Sequence, residues 1–177
     1  MDNTMNEIQP ITISRSNKAA CTFEKVSFET FGHTQYDYDK IKLPIRSTSG
    51  SAGYDFFYNL NDTLTIKPNE SAVIPTGIKA YISNSVGIFL ALVPRSSYGF
   101  KYGTVLANTI GIIDSDYYNN EDNEGHIMVK LTNHGDKDLV INPGDKFCQG
   151  IFLPYFITQN DAPLSDTRTG GIGSTGK

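Results

Sequence analysis

No window of about 15 residues in this chain carries a sustained apolar stripe at the helical period of 3.6. The apolar residues come instead in short runs rich in Val, Ile, Phe and Tyr. These are Thr22–Phe28, Leu64–Ile66, Ser71–Ile74, Gly87–Val93, His126–Thr132 and Phe147–Phe156. Between them stand Lys67-Pro-Asn69, Asn133–Asp138 and Asn142-Pro-Gly-Asp145. Branched and aromatic side chains suit a pleated, half-buried surface, whereas Gly, Pro, Asn and Asp supply turn dihedrals. Alternation also assigns faces: Ile127, Val129 and Leu131 fall on one side of a strand, and Met128, Lys130 and Thr132 on the other. At 177 residues the chain is long enough for one domain with a substantial core. The expected class is all-β, as a sandwich, jelly roll or barrel.

Charge and cysteine usage narrow the function classes. The formal net charge is −4 and no basic stripe stands out, which argues against a sequence-independent grip on nucleic acid. Any phosphate site must be made locally. Cys21 and Cys148 are too few for a disulfide framework, so reduced thiols in a cytoplasmic setting are expected. The polar N-terminus has no signal-peptide core, and no apolar span reaches about 18 residues, so neither export nor membrane insertion is expected. His33, His126 and His134 lack the spacing of a metal site. Residues 1–20 read as a frayed polar segment, 21–160 as the β domain, and 161–177 as a flexible glycine-rich arm. Asp116–Gly125 is acidic and polar and reads as a surface loop.

Five segments carry the chemistry. The arm ends in Arg168-Thr-Gly-Gly-Ile-Gly-Ser-Thr-Gly-Lys177, which offers bare backbone N–H groups, hydroxyls and cations to a polyanion. Its Gly171–Lys177 stretch mimics a phosphate loop. That motif needs a preceding strand, a following helix and a Ser or Thr after the Lys, and here the chain stops. Ser51-Ala-Gly-Tyr-Asp55 places small residues before a carboxylate, as a ligand-facing loop or an ordinary turn. Pro94-Arg-Ser-Ser-Tyr-Gly99 ends an apolar run with Arg95, Ser96 and Ser97, a phosphate nest or a short helix with a Ser cap. Asn108-Thr-Ile-Gly-Ile-Ile-Asp114-Ser-Asp-Tyr117 ends a β-like run in carboxylates and an aromatic, as general-base groups or hairpin turn residues. Gly144-Asp-Lys-Phe-Cys-Gln149 opens with a turn and puts Gln149 in a strand, where a buried amide with fixed partners is expected.

Taken in order, these five segments resemble the five motifs of the trimeric dUTP pyrophosphatase (dUTPase) family, over roughly residues 41–177. The resemblance implies a jelly-roll or β-clip subunit in a homotrimer with active sites at subunit interfaces. It implies hydrolysis of dUTP to dUMP and pyrophosphate, with Mg²⁺ on the triphosphate. Asp114 should activate the attacking water, and Tyr117 should pack on the deoxyribose and exclude a 2′-hydroxyl. Asn108 and the backbone of Gly111 and Ile113 should read uracil. Asp55 should hold magnesium-bound water. Arg95, Ser96, Ser97 and Gln149 should cradle phosphates. Arg168 should act as an arginine finger, Gly171, Ile172 and Gly173 should cover the base, and Ser174 and Thr175 should donate to the γ-phosphate.

Two rivals share the fold. A dCTP deaminase needs a pocket glutamate, and no Glu lies between Glu70 and Glu121. A regulatory protein with a protein partner would have no reason to keep Asp55, Asp114, Arg168 and Ser174 together, although the acidic loop offers a surface for such a second role. The chain departs from the family in its acidic stretch after Tyr117, expected to extend the hairpin away from the site. It departs again at Ile172, where the family usually has an aromatic over the base. Losing that stack removes about 1–3 kcal/mol of base contact, so Ile172→Phe should lower the Michaelis constant for dUTP. An unchanged or higher constant would count against this assignment of Ile172.

Overall fold

The computed structural model describes residues 20–85 and 87–163. Its strands are β1 (Cys21–Lys25), β2 (Tyr54–Phe57), β3 (Leu64–Ile66), β4 (Ser71–Pro75), β5 (Ile78–Ile82), β6 (Ile88–Pro94), β7 (Thr104–Leu106), β8 (Gly111–Ile113), β9 (Met128–Asn133), β10 (Leu139–Ile141) and β11 (Lys146–Pro154). Short helices α1 (Phe28–Phe31), α2 (Gln35–Asp39) and α3 (Ser96–Tyr102) and a 3₁₀ turn at Ser115–Tyr117 interrupt them. Every strand pairing is antiparallel. The sheets run β1-β5, β3-β10, β2-β11-β6-β8 and β4-β9-β7, so neighbours in space are seldom neighbours in sequence. This is the all-β, jelly-roll type of arrangement expected from the pattern of short strands.

The alternation in β9 is realised as expected. Val129 and Leu131 are buried with Ile127 before them, while Lys130 faces solvent. Phe56, Ile66, Leu90, Leu92, Leu131, Ile141 and Phe147 meet in one core with the other inward residues. Turns fall where the turn-forming residues stand. Gly144 has φ 83° and Asn69 φ 64°, both in the left-handed region that Gly and Asn tolerate best.

Two expectations need correction. The apolar run Thr22–Phe28 does not stay a strand, because Ser27 caps α1: its hydroxyl accepts from the Thr30 N–H at 3.2 Å. The acidic stretch 116–125 is a surface loop, with Asp116, Asn119, Glu121 and Asp122 exposed, but it folds back over Tyr117 instead of extending away. Tyr117, Asn120 and Gly125 are buried. Glu124 accepts from the Ser27 N–H and the Thr30 hydroxyl, each at 2.9 Å, and lies 3.5 Å from the Lys79 ammonium. Bonds from Ser27 first, then Thr30 and Lys79, outweigh desolvation and hold its pKa at about 2.

His126, beside this loop, is buried and its Nε2 accepts from the Gly77 N–H at 2.9 Å. Burial, helped by repulsion from His33 and opposed by Glu124, lowers its pKa to about 4. Between pH 6.5 and about 4 the unfolded chain takes up a proton here that the folded chain refuses. Stability should therefore fall as pH drops through that window. Thermal unfolding across it should show a falling Tm, with a shallower fall in His126→Gln, whose amide does not titrate. Identical pH slopes in the two proteins would refute the assignment.

Candidate functional site

Polar groups gather at one end of the β2-β11-β6 ladder. Asp55 on β2 pairs with Gln149 on β11, Gln149 pairs with Val93 on β6, and Cys148 pairs with Pro94. The residue that follows, Arg95, is the extended N-cap of α3. Adjacent strands lie about 4.8 Å apart, so this register brings carboxylate, amide and guanidinium together. A 340 Å³ cavity here is lined by Asp55, Arg95, Ser96, Gln149 and the Ser51–Gly53 loop. Gly53 is needed for close approach: a Cβ there would lie 2.5 Å from Gln149 Oε1.

Asp55 is heavily engaged. Its Oδ2 accepts from the Ser47 hydroxyl at 2.7 Å and lies 2.9 Å from the Lys146 ammonium. Its Oδ1 lies 3.5 Å from Arg95 Nε. Lys146 also donates to Ser47 Oγ at 2.7 Å, and Arg95 donates to the Lys146 carbonyl at 3.2 Å. Desolvation works to raise the Asp55 pKa, but the Ser47 and Lys146 bonds and the two positive charges outweigh it and hold it low. The carboxylate is thus charged and shares a polar cavity with the Arg95 guanidinium. Among the described residues no three His, Cys, Asp or Glu side chains are placed to hold a metal. A lone carboxylate with only a 3.5 Å contact on Oδ1 fits a water-mediated partner of a phosphate-borne cation and does not fit a direct ligand set.

The second group of residues lies on and after the tight turn that joins β7 to β8. Thr109 sits at φ 67° in its tip, and Asn108 is exposed beside it. Gly111 packs β8 against β6, where an added Cβ would lie 3.0 Å from Leu92 Cβ. Asn108, Gly111, Ile113 and Tyr117 line a 480 Å³ groove with Leu92 and Leu106 among the other walls. The Tyr117 ring lies in its wall while its hydroxyl donates inward to the His126 carbonyl at 3.0 Å. Asp114 is exposed at the end of β8 and does not line the groove.

The two groups are far apart within one chain. β8 and β2 are opposite edges of one sheet, three strand spacings or about 14 Å apart. Along β6 the separation is larger. Asp114 follows Ile113, the partner of Leu90, while Arg95 lies five residues beyond Leu90 in the other direction. Six residues of strand span about 20 Å.

Several expectations are refined by this geometry. Asp55, Arg95, Ser96 and Gln149 meet, whereas Ser97 does not line their cavity. Gln149 is half-buried, and its amide forms no hydrogen bond among the described residues, because Gly53 and open cavity lie beside it. α3 has no Ser cap, since Arg95 occupies the cap position without a side-chain bond. Arg168, Gly171, Ile172, Gly173, Ser174 and Thr175 lie outside the described residues. Ser47 and Lys146 were missed. Lys146 stood inside a quoted motif, but its contact with Ser47 spans 99 positions and no local pattern announces it. Both cysteines are free thiols, and burial pushes Cys148 up to about 12, which removes it as a nucleophile. No helix among the described residues is long and apolar enough to cross a membrane.

Comparison with known proteins identifies the family. The dUTPase family profile matches residues 39–176. The deoxyuridine 5'-triphosphate nucleotidohydrolase of Lactococcus lactis is 44% identical over 144 residues, 81% of this chain and 93% of that one. The crystal structure of a dUTPase from Streptococcus mutans superposes with a TM-score of 0.62 at 37% identity, covering 78% of this chain and 98% of that one. A dUTPase from phage phi11 of S. aureus, a protein that coordinates a structural Mg(II) ion, shares the fold with a TM-score of 0.61 at 20% identity, over 84% and 99% of the two chains. The chain belongs to the dUTPase family.

Proposed function

We propose that this chain hydrolyses dUTP to dUMP and pyrophosphate, as a homotrimer whose active sites are shared between copies. The observation that carries this reading is the division of the family's residue set into two groups, each assembled by the sheet. One is a polar cavity where Arg95 stands beside Asp55, Ser96 and Gln149. The other is a mostly apolar groove at Asn108, Gly111, Ile113 and Tyr117. The first suits a polyphosphate and the second a base with its sugar.

In the groove, the exposed polar groups of the β7–β8 turn pair with the uracil edge, and the close β6–β8 packing at Gly111 leaves little room for a larger base. Tyr117 presents its ring to the sugar. Asp114 accepts a hydrogen bond from a water and aims it at the α-phosphorus. The water oxygen bonds to that phosphorus, the bond to the bridging oxygen breaks, and pyrophosphate leaves with the electron pair. The water's proton passes to the Asp114 carboxylate and then to solvent. Arg95, the α3 N-terminal N–H groups, and Arg168 with Ser174 and Thr175 from the arm offset the charge that builds on the phosphates. Magnesium bound to the triphosphate would add further charge neutralisation, with Asp55 as its water-mediated anchor.

The separation of about 20 Å between Asp114 and Arg95 along β6 supports sharing between copies, because both cannot touch one α-phosphate from the same chain. A closed symmetric ring brings the β7–β8 turn of one copy to the cavity of the next.

Pyrophosphate release with magnesium should be seen with dUTP and not with dCTP, dTTP or UTP. Asp114→Asn should lower kcat by about 10²–10⁴-fold, the usual contribution of a positioned base, with a small change in the Michaelis constant. Release from none of the four nucleotides would overturn the reading, and an unimpaired Asp114→Asn would remove Asp114 as the base.

A further inference from the structure

We propose that the 118–125 loop is a clamp on Tyr117, and that Asn123 and Asn120 are positioning residues for discrimination against the 2′-hydroxyl. This rests on the reading of the Tyr117 groove as the base and sugar site. The loop is tied to Tyr117 at two points. Asn123 Nδ2 donates to the phenol oxygen at 2.9 Å, while the phenol donates to the His126 carbonyl at 3.0 Å. The hydroxyl therefore has both a donor and an acceptor fixed by the loop and its exit, which sets the position of the ring as well as its height in the groove. Asn120 Nδ2 donates to the Tyr117 carbonyl at 2.9 Å and so holds the backbone of the same residue.

The two asparagines are themselves locked. Asn120 Nδ2 donates to Asn123 Oδ1 at 2.8 Å, and Asn120 Oδ1 accepts from the Asp122 and Asn123 N–H groups at 3.1 and 3.2 Å. Asn123 Oδ1 also accepts from the Gly125 N–H at 3.1 Å. Gly125 has φ 79°, and a Cβ there would lie 2.5 Å from the Tyr117 carbonyl, so the loop turns back directly over Tyr117. Glu124 holds a φ of 56°, a conformation that residues other than Gly and Asn keep only when their surroundings impose it. What imposes it is the remote anchor: Glu124 is bound to Ser27 and Thr30 on the α1 turn and to Lys79 on β5. A solvated loop would need none of these bonds. Their convergence on one groove-wall residue points to control of that wall.

A ring held in place by two bonds excludes a hydroxyl by contact, and exclusion by contact is lost when the wall can retreat by a fraction of an ångström. The test is kcat/KM for dUTP and UTP, with Tm, in the full chain and in Asn123→Ala, Asn120→Ala, Tyr117→Phe and Asn123→Ala/Tyr117→Phe. Ile66→Val, a core change on β3 outside the groove, serves as the control for general loosening. Asn123→Ala and Tyr117→Phe should each raise the UTP/dUTP ratio on the order of tenfold, Asn120→Ala should raise it as well, and the double variant should show little beyond Tyr117→Phe, because removing the phenol already removes the bond that Asn123 makes to it. Ile66→Val should lower Tm and leave the ratio unchanged. A native chain that prefers dUTP while Asn123→Ala loses Tm with no change in ratio overturns the clamp and leaves the activity standing. A native chain without pyrophosphate release from dUTP overturns the activity and the clamp together.

Discussion

Strand β11 lies between β2 and β6, and its register decides which side chains can meet at the Asp55–Arg95 end of the molecule. Gln149 has Asp55 on one side and Val93 on the other, so the carboxylate and the Arg95 turn are fixed relative to one another by backbone hydrogen bonds before any side chain contributes. Gly150, one residue on, is forced to be small by Leu90 and Phe56, where an added Cβ would lie 2.8 and 3.0 Å away. A slip of one residue would turn Gln149 away from the cavity and put a side chain where only Gly150 fits. The close packing at Gly150 thus helps to hold the polar groups in place.

The same sheet also keeps the Asp55–Arg95 group and the Asn108–Tyr117 group apart. β8 joins β6 on the side away from β11, and it runs back so that Asp114 emerges at the end opposite Arg95. The ladder that builds each group therefore keeps both from touching one small ligand within a chain. On the proposed reading, association of copies would complete the site as well as cover apolar surface. Ile45, Val73, Ile112 and Val140 are each about half exposed on strands or next to them, and such surfaces need cover in an all-β subunit.

Much of this was legible in the sequence because its signals are local. Period-two alternation located β9 and its faces, turn residues located the breaks before and after β10, and the Pro at position 94 ended β6 at the right place. The order of five short motifs carried the family. What could not be read was non-local. The fate of the stretch after Tyr117 depends on Glu124 reaching Ser27, 97 positions away, and on asparagines that bond inward although Asn is a surface residue by habit. Gln149 was expected to be satisfied because it sits in an apolar strand, but the loop before its partner strand supplies a glycine, Gly53, and an open cavity. The Ser47–Lys146–Asp55 cluster likewise exists only once β2 and β11 are paired.

The most direct test of the shared site is complementation between two inactive proteins. Asp114→Asn and Arg95→Ala would each be purified, mixed, unfolded and refolded together, and pyrophosphate release from dUTP compared with that of each protein refolded alone. If the two residues act from different copies, random assembly leaves roughly a quarter of the sites with both native groups, and activity returns on mixing. Activity no higher than that of the separate proteins, in a mixture shown to have exchanged chains, would place both residues in one copy and contradict the account.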